Sequence, residues 1–304
     1  MVTEGRIETV RVAFWEQILR DGCALPSYPR LDELTVELTR MLGSPYGHER
    51  EDIARTILTT WVERGVYDDL LAGLGDGVCL GLDTGLGDDG ADTVFRRSFS
   101  ALVLAAVVAR DTEVERLHPD VLLRWGDRGI RWLVRERDLR GYIPGNGWAH
   151  AVAHGADLLL ALSLSRHFRE GELMVLLDAV ADRLLEPTNH RLVHGEEERL
   201  AYATMGVLHR NVLDMAVVNP WLDRLSRAWS DDGADTSPVA FNTVGYLRSL
   251  HLQLQLGVRP LMRQGHASLY FEQEVGNRID VLGAIARHLR GTGPWYRQRT
   301  FEHR

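Results

Sequence analysis

The segment RGYIPGNGWAHAVAHGADLLLAL, residues 140–162, holds the densest group of side chains able to do chemistry. Gly145, Asn146 and Gly147 spell a turn that can start a helix, and in the helix expected over 147–166 His150, His154 and Asp157 stand at i, i+4 and i+7. At about 100° per residue the three fall within an arc of roughly 60° on one face. Such a stripe has three uses. Imidazole and carboxylate suit zinc, iron or nickel. A histidine pair beside a carboxylate can move a proton near neutral pH. The same groups can instead hydrogen-bond to neighbouring helices, with Ala149, Ala151, Ala153 and Ala156 permitting close packing. A zincin needs glutamate directly after its first histidine, and Ala151 stands there, so any metal here takes a further ligand from elsewhere. The sequence names neither a metal nor a cofactor.

Two more segments supply partners. In HGEEERLAYA, residues 194–203, Glu196, Glu197 and Glu198 open a helix, where acidic side chains meet the helix dipole favourably. Glu197 or Glu198 is the expected member to face the histidine helix as an extra ligand or base, and Arg199 can pair with one of the three. In DTVFRRSFSALVLA, residues 92–105, Arg97 can bind a carboxylate or phosphate bidentately, or brace neighbouring helices through an acidic partner. Ser98 has no GxSxG elbow around it, which speaks against a hydrolase nucleophile. Trp125, Trp132 and Trp148 are expected in the core or lining a groove. The candidate set is therefore His150, His154 and Asp157 for catalysis, with Arg97, Trp148, Glu197 and Arg199 for ligand binding.

What must position them is helical. Apolar residues recur at helical spacing in segment after segment, and period-two alternation is almost absent, so an all-α protein is expected. The spacing predicts helices over 7–20, 31–42, 49–64, 93–109, 119–137, 147–166, 171–186, 197–206, 208–229, 238–256 and 273–290. Pro26 and Pro29, Gly43 to Pro45, and Pro187 mark stops, and Asp92 is the expected N-cap of the helix carrying Phe95 and Phe99. Residues 71–92, with seven glycines, are expected as a long loop or pair of turns. No strand precedes them, which excludes a dinucleotide fingerprint, and glycine stands where an EF-hand needs ligands. Helices of this length joined by tight links suggest one domain over residues 1–304 of stacked hairpins, a HEAT or armadillo superhelix. An α/α barrel or an irregular helical bundle would give the same pattern.

Composition sets outer bounds. The chain has 304 residues and a formal charge of −8, with no basic run, so nucleic acid is not an expected partner. All 35 basic residues are arginine, which removes a Walker-A lysine and Schiff-base chemistry and suggests a GC-rich genome. Cys23 and Cys79 lack paired spacing, so neither a thiolate zinc site nor a disulfide framework is expected. The first twenty residues carry charges throughout, unlike a signal peptide, and ALVLAAVVA at 101–109 is too short to span a bilayer. A cytoplasmic protein that does not engage membranes is expected.

GLGDDGADTVFRRSFSALVLA, RGYIPGNGWAHAVAHGADLL and HGEEERLAYA together resemble a family of bacterial proteins known only as a domain of unknown function, strongly over residues 80–205. The resemblance implies an all-helical, repeat-like fold in a bacterial cytoplasm and brings no activity. AHG at 153–155 also resembles the histidine motif of lanthionine cyclases, whose cysteine zinc ligands have no counterpart here. Two functions stay open. One is a helical-repeat protein binding a peptide, protein segment or small anionic ligand in a groove near His150 and His154. The other is a metal-assisted or histidine-based hydrolase or lyase using the same residues.

Overall fold

The computed structural model describes residues 2–229, 237–260 and 270–293. Helical periodicity is realised as twelve α-helices among them: α1 (Val2–Arg20), α2 (Leu31–Met41), α3 (Thr56–Glu63), α4 (Leu71–Leu82), α5 (Thr93–Val114), α6 (Pro119–Arg135), α7 (Ala151–Leu164), α8 (Glu170–Leu185), α9 (Glu196–Leu208), α10 (Met215–Leu225), α11 (Pro238–Leu256) and α12 (Arg278–Arg290). A π-helical segment, His48–Arg55, runs into α3. The fold is all-α, broken by one small hairpin of β1 (Tyr142–Ile143) and β2 (Gly147–Trp148). None of the described helices is long and apolar enough to cross a membrane.

The helices pack in two rows. One runs α3, α5, α7, α9, α11; the other runs α4, α6, α8, α10, α12, and each helix touches its row neighbours. At the centre lies α7, whose residues from Ala151 to Leu164 are all buried. Its small residues explain how it fits there. A Cβ on Gly155 would stand 2.6 Å from Leu133 Cδ1 of α6, so glycine lets the two rows meet closely.

Several boundaries differ from expectation. Residues 71–82 form α4 and not the first half of a loop. Leu71, Leu74, Val78, Cys79 and Leu82 bury one helical face, and the glycines serve packing. A Cβ on Gly75 would lie 2.1 Å from the Trp125 ring, and one on Gly81 would lie 2.0 Å from Ser100 Oγ. Asp92 does sit at the N-cap position of α5, but its carboxylate makes no capping hydrogen bond; its carbonyl accepts from Phe95 N at 3.1 Å. The helix expected over 208–229 shrinks to α10, because Asn211 turns left-handed (φ 54°) and Asp214 caps a fresh start by accepting from Ala216 N and Val217 N. The last described helix likewise starts at Arg278 and not 273.

Candidate functional site

The helix expected from residue 147 begins only at Ala151, because residues 140–150 fold back as a hairpin. Gly145 (φ 85°) follows Pro144, and Asn146 N donates to Ile143 O at 3.0 Å, the pattern of a type II turn. Tyr142 then pairs with Trp148 and Ile143 with Gly147, while Ala149 N and His150 N donate to Gly141 O and Arg140 O. At the end of the hairpin His150 adopts a left-handed conformation, φ 49° and ψ 36°, as the N-cap of α7. A non-glycine residue there stores strain, which persists only where the surroundings fix it. His150 is therefore not on the helical stripe; only His154 and Asp157 share the α7 face.

The hairpin is held from a distance. Arg50, fully buried in the π-helical segment, donates through Nη2 to Asn146 O (2.7 Å), Trp148 O (3.2 Å) and Glu51 Oε1 (2.7 Å), and its guanidinium covers the Phe95 ring at 3.9 Å. Glu51 Oε1 in turn accepts from Trp148 N at 3.1 Å. Neither residue stands out in the sequence, because their partners lie almost a hundred positions away.

Around His150 a group of rings assembles. Trp148, 36% exposed, stacks on His150 with centroids 4.1 Å apart, and Tyr142 and His194 meet the indole edge-on at 5.0 and 5.7 Å. Beneath them sits Glu196, 1% exposed, whose Oε2 accepts from His194 N at 2.8 Å. Its Oε1 lies 3.9 Å from His150 Nε2 and 3.8 Å from His194 Nδ1 and accepts no hydrogen bond. Gly141 gives these groups room, since a Cβ there would stand 2.3 Å from His194 Nδ1. The glutamate facing the histidines is thus Glu196, not Glu197 or Glu198. Glu197 lies toward α11, within 3.5 Å of where a Gly245 Cβ would be, and burial raises its pKa; Glu198 is exposed. His194 and Glu196 were not singled out as site residues, although the adjacency of histidine and glutamate in HGEE was visible.

His154 lies deeper. Its Nδ1 is 2.7 Å from Ser98 Oγ, and the Ser98 hydroxyl donates its one proton to Ala149 O. Ser98 must therefore accept from His154 Nδ1–H, which leaves the lone pair on Nε2. Burial, reinforced by the charges of His150, Arg199 and Arg55, holds the His154 pKa well below 6.5. Burial also lowers His150, against the opposing pull of Glu196. Asp157 accepts from Arg199 Nε at 2.9 Å and again from Nη2, yet burial outweighs the pair and raises its pKa above 3.8. Asp157 Oδ2 and His150 Nε2 join Glu196 Oε1 as buried atoms without a partner among the described residues.

Arg97 stands apart from this cluster. Its guanidinium is fully buried and bidentate on Glu136 (2.6 and 2.8 Å), with Nη1 donating to Thr84 O, Gly85 O and Thr93 Oγ1. It is occupied as the brace between α5 and the end of α6, and a ligand cannot reach it. Trp125 and Trp132 are core residues, whereas Trp148 is at the surface. Among the described residues no group of three or more His, Cys, Asp or Glu is arranged to hold a metal ion.

The fold and site define an all-α protein whose buried central helix presents a histidine cluster beneath an exposed tryptophan. Residues 82–252, more than half the chain and every member of that cluster, match the family described as protein of unknown function (DUF2785). The chain belongs to this family. No curated protein and no solved structure matches it in the same comparisons.

Proposed function

We propose that the protein is a binding protein, which receives a peptide, protein segment or small ligand at the surface formed by Tyr142, Trp148, His150, His194 and Arg199. One observation carries this: an exposed Trp148 stacked on a left-handed His150, directly over polar atoms of His150 and Glu196 that have no partner among the described residues. Strain, an exposed indole and unsatisfied polar groups each cost stability, and they coincide where a ligand would offset all three. The cytoplasm is the setting we infer, with both cysteines as buried thiols, and we infer a bacterial origin from the sequence resemblance. We also infer that the whole chain forms one domain and that the two rows are stacked hairpins of the HEAT or armadillo kind.

The alternative is a histidine-based hydrolase or lyase, favoured by the free lone pair on His154 Nε2. Ser98 does not serve it as a nucleophile, being buried and committed to Ala149 O. A metal-assisted version finds no ready donor set among the described residues. The test is a peptide and metabolite screen by thermal shift, followed by calorimetry on Trp148→Ala and Arg199→Gln. Loss of binding in folded variants supports the surface; unchanged affinity in both rejects it, and turnover lost in His154→Gln would favour the enzyme.

A further inference from the structure

A cleft of about 1020 Å³ opens where α6 and α8 end, between the turn after α4 and the segments that follow the two helices. Its size suits a whole small molecule more than a single ion. Leu139 and Arg140 line it, whereas the next residue, Gly141, packs on His194 and Glu196. Cleft and histidine cluster therefore share a stretch of backbone without sharing a side chain.

The charges on its wall do not cancel within the protein. Glu136 is spent on Arg97, and Arg140 on Asp138. What is left is Arg135, Arg137 and Arg183 against Asp89 and Glu186, three guanidinium groups to two carboxylates, with no ion pair to any of them among the described residues. Arg183 is the unusual member, because it is only 5% exposed. Its Nη1 closes the end of α6 by donating to Leu133 O (3.1 Å), Val134 O (3.3 Å) and Glu136 O (2.6 Å). Its Nε and Nη2 have no protein acceptor among the described residues, and Glu186 and Glu136 attract it only through space, without an ion-pair contact. An enclosed guanidinium without a direct ion pair is costly, and its Nε and Nη2 present the geometry that takes an oxyanion bidentately. A further polar group waits beside it: His190 Nε2 is buried on the same wall without a partner among the described residues, next to Thr188 and Asn189.

We infer that this cleft is a second site, which binds a small organic anion with its carboxylate or phosphate group on Arg183 and Arg137 and its polar body against His190. Arg183 sets the position of the anion, since it is fixed by the carbonyls of α6, and exposed Arg137 adds charge at the mouth.

The test is calorimetric titration of the full chain at low ionic strength with citrate and, separately, with pyrophosphate, in wild type, Arg137→Gln, Arg183→Gln and Trp148→Ala. Saturable binding of at least one probe is expected, weakened about tenfold or more in Arg183→Gln and about threefold in Arg137→Gln, as loss of charge-assisted hydrogen bonds implies. Whichever of citrate or pyrophosphate binds more tightly tells carboxylate from phosphate. Trp148→Ala should bind like wild type. No saturation by either probe, or wild-type affinity in both arginine variants, overturns the site; loss confined to Trp148→Ala also overturns it and moves the anion to the histidine cluster. Should Arg183→Gln fail to fold, Arg137→Gln decides alone, because that side chain makes no hydrogen bond among the described residues.

Discussion

Acidification should destabilise the protein through His154. In the folded chain burial keeps this imidazole neutral, with a pKa well below 6.5, while in the unfolded chain it takes up a proton at its ordinary 6.5. A lowered folded pKa means that stability is fully present above 6.5 and is lost as pH falls below it, because only the unfolded state binds the proton. The slope is about 1.4 kcal/mol per pH unit for each such histidine. His150, also lowered by burial, adds a smaller increment of the same sign. Asp157 acts the other way at lower pH: its raised pKa favours the folded state as pH falls toward 3.8. His48, raised by Asp52, titrates above 6.5 and is largely exposed, so solvent screens it. Comparison with a His154→Gln variant isolates the one residue. Loss of the edge contact between His154 and Phe99, 4.9 Å between centroids, lowers the variant's stability at every pH alike. Urea unfolding at fixed ionic strength, in steps from about pH 7.5 to about pH 5, should show the two proteins running parallel above about pH 7 and the wild-type slope exceeding that of the variant by up to about 1.4 kcal/mol per pH unit below about pH 6. Parallel lines for the two proteins over the whole range would refute a neutral, buried His154.

Other consequences are independent of that one. At the left-handed position of His150, His150→Gly should be more stable than His150→Ala by about 1 kcal/mol in chemical denaturation; Ala equal to or above Gly would remove the strain from the account. Arg97→Ala leaves Glu136 buried and unpaired and should cost about 3–5 kcal/mol, so a loss near zero in urea titrations would contradict the brace. In α4 Gly75→Ala should cost about 1–3 kcal/mol against Trp125, whereas Gly73→Ala, with nothing within 4 Å, should gain up to about 1 kcal/mol. A gain from both, or a loss from both, would argue against α4. Arg50→Ala frees the hairpin, and amide exchange at Tyr142 and Ala149 should accelerate in mass spectrometry; unchanged protection would mean that Arg50 does not hold it.

The parts legible in the sequence are those set by local pattern. Apolar spacing gave an all-α fold, and Pro187 and Gly43 stand where helices end. The glycines of α4 misled because glycine in a helix reads as a turn, and only the Trp125 ring and Ser100 opposite them reveal that they are contact points. His154 and Asp157 share a face as helical spacing requires, but His150 does not, since Pro144 and Gly145 start a hairpin that i, i+4 counting ignores. Arg199 was visible as an ion-pair former and found Asp157, an acid of another helix, instead of its own glutamates. Choosing Glu196 over Glu197 depends on how α9 is rotated against α7, and tertiary packing sets that rotation. Arg50 and Glu51 carry no local signal at all.

The claim that matters most is that Trp148, His150 and His194 form a ligand surface. Its most direct test is NMR of protein labelled in the histidine rings and tryptophan indoles, titrated with pooled peptides and small metabolites. The signals of His150, His194 and Trp148 should move together and saturably with at least one pool, while His209, at the opposite end of α9, and His288 of α12 stay in place. Binding that shifts His209 or His288 but leaves the Trp148 cluster still would contradict it.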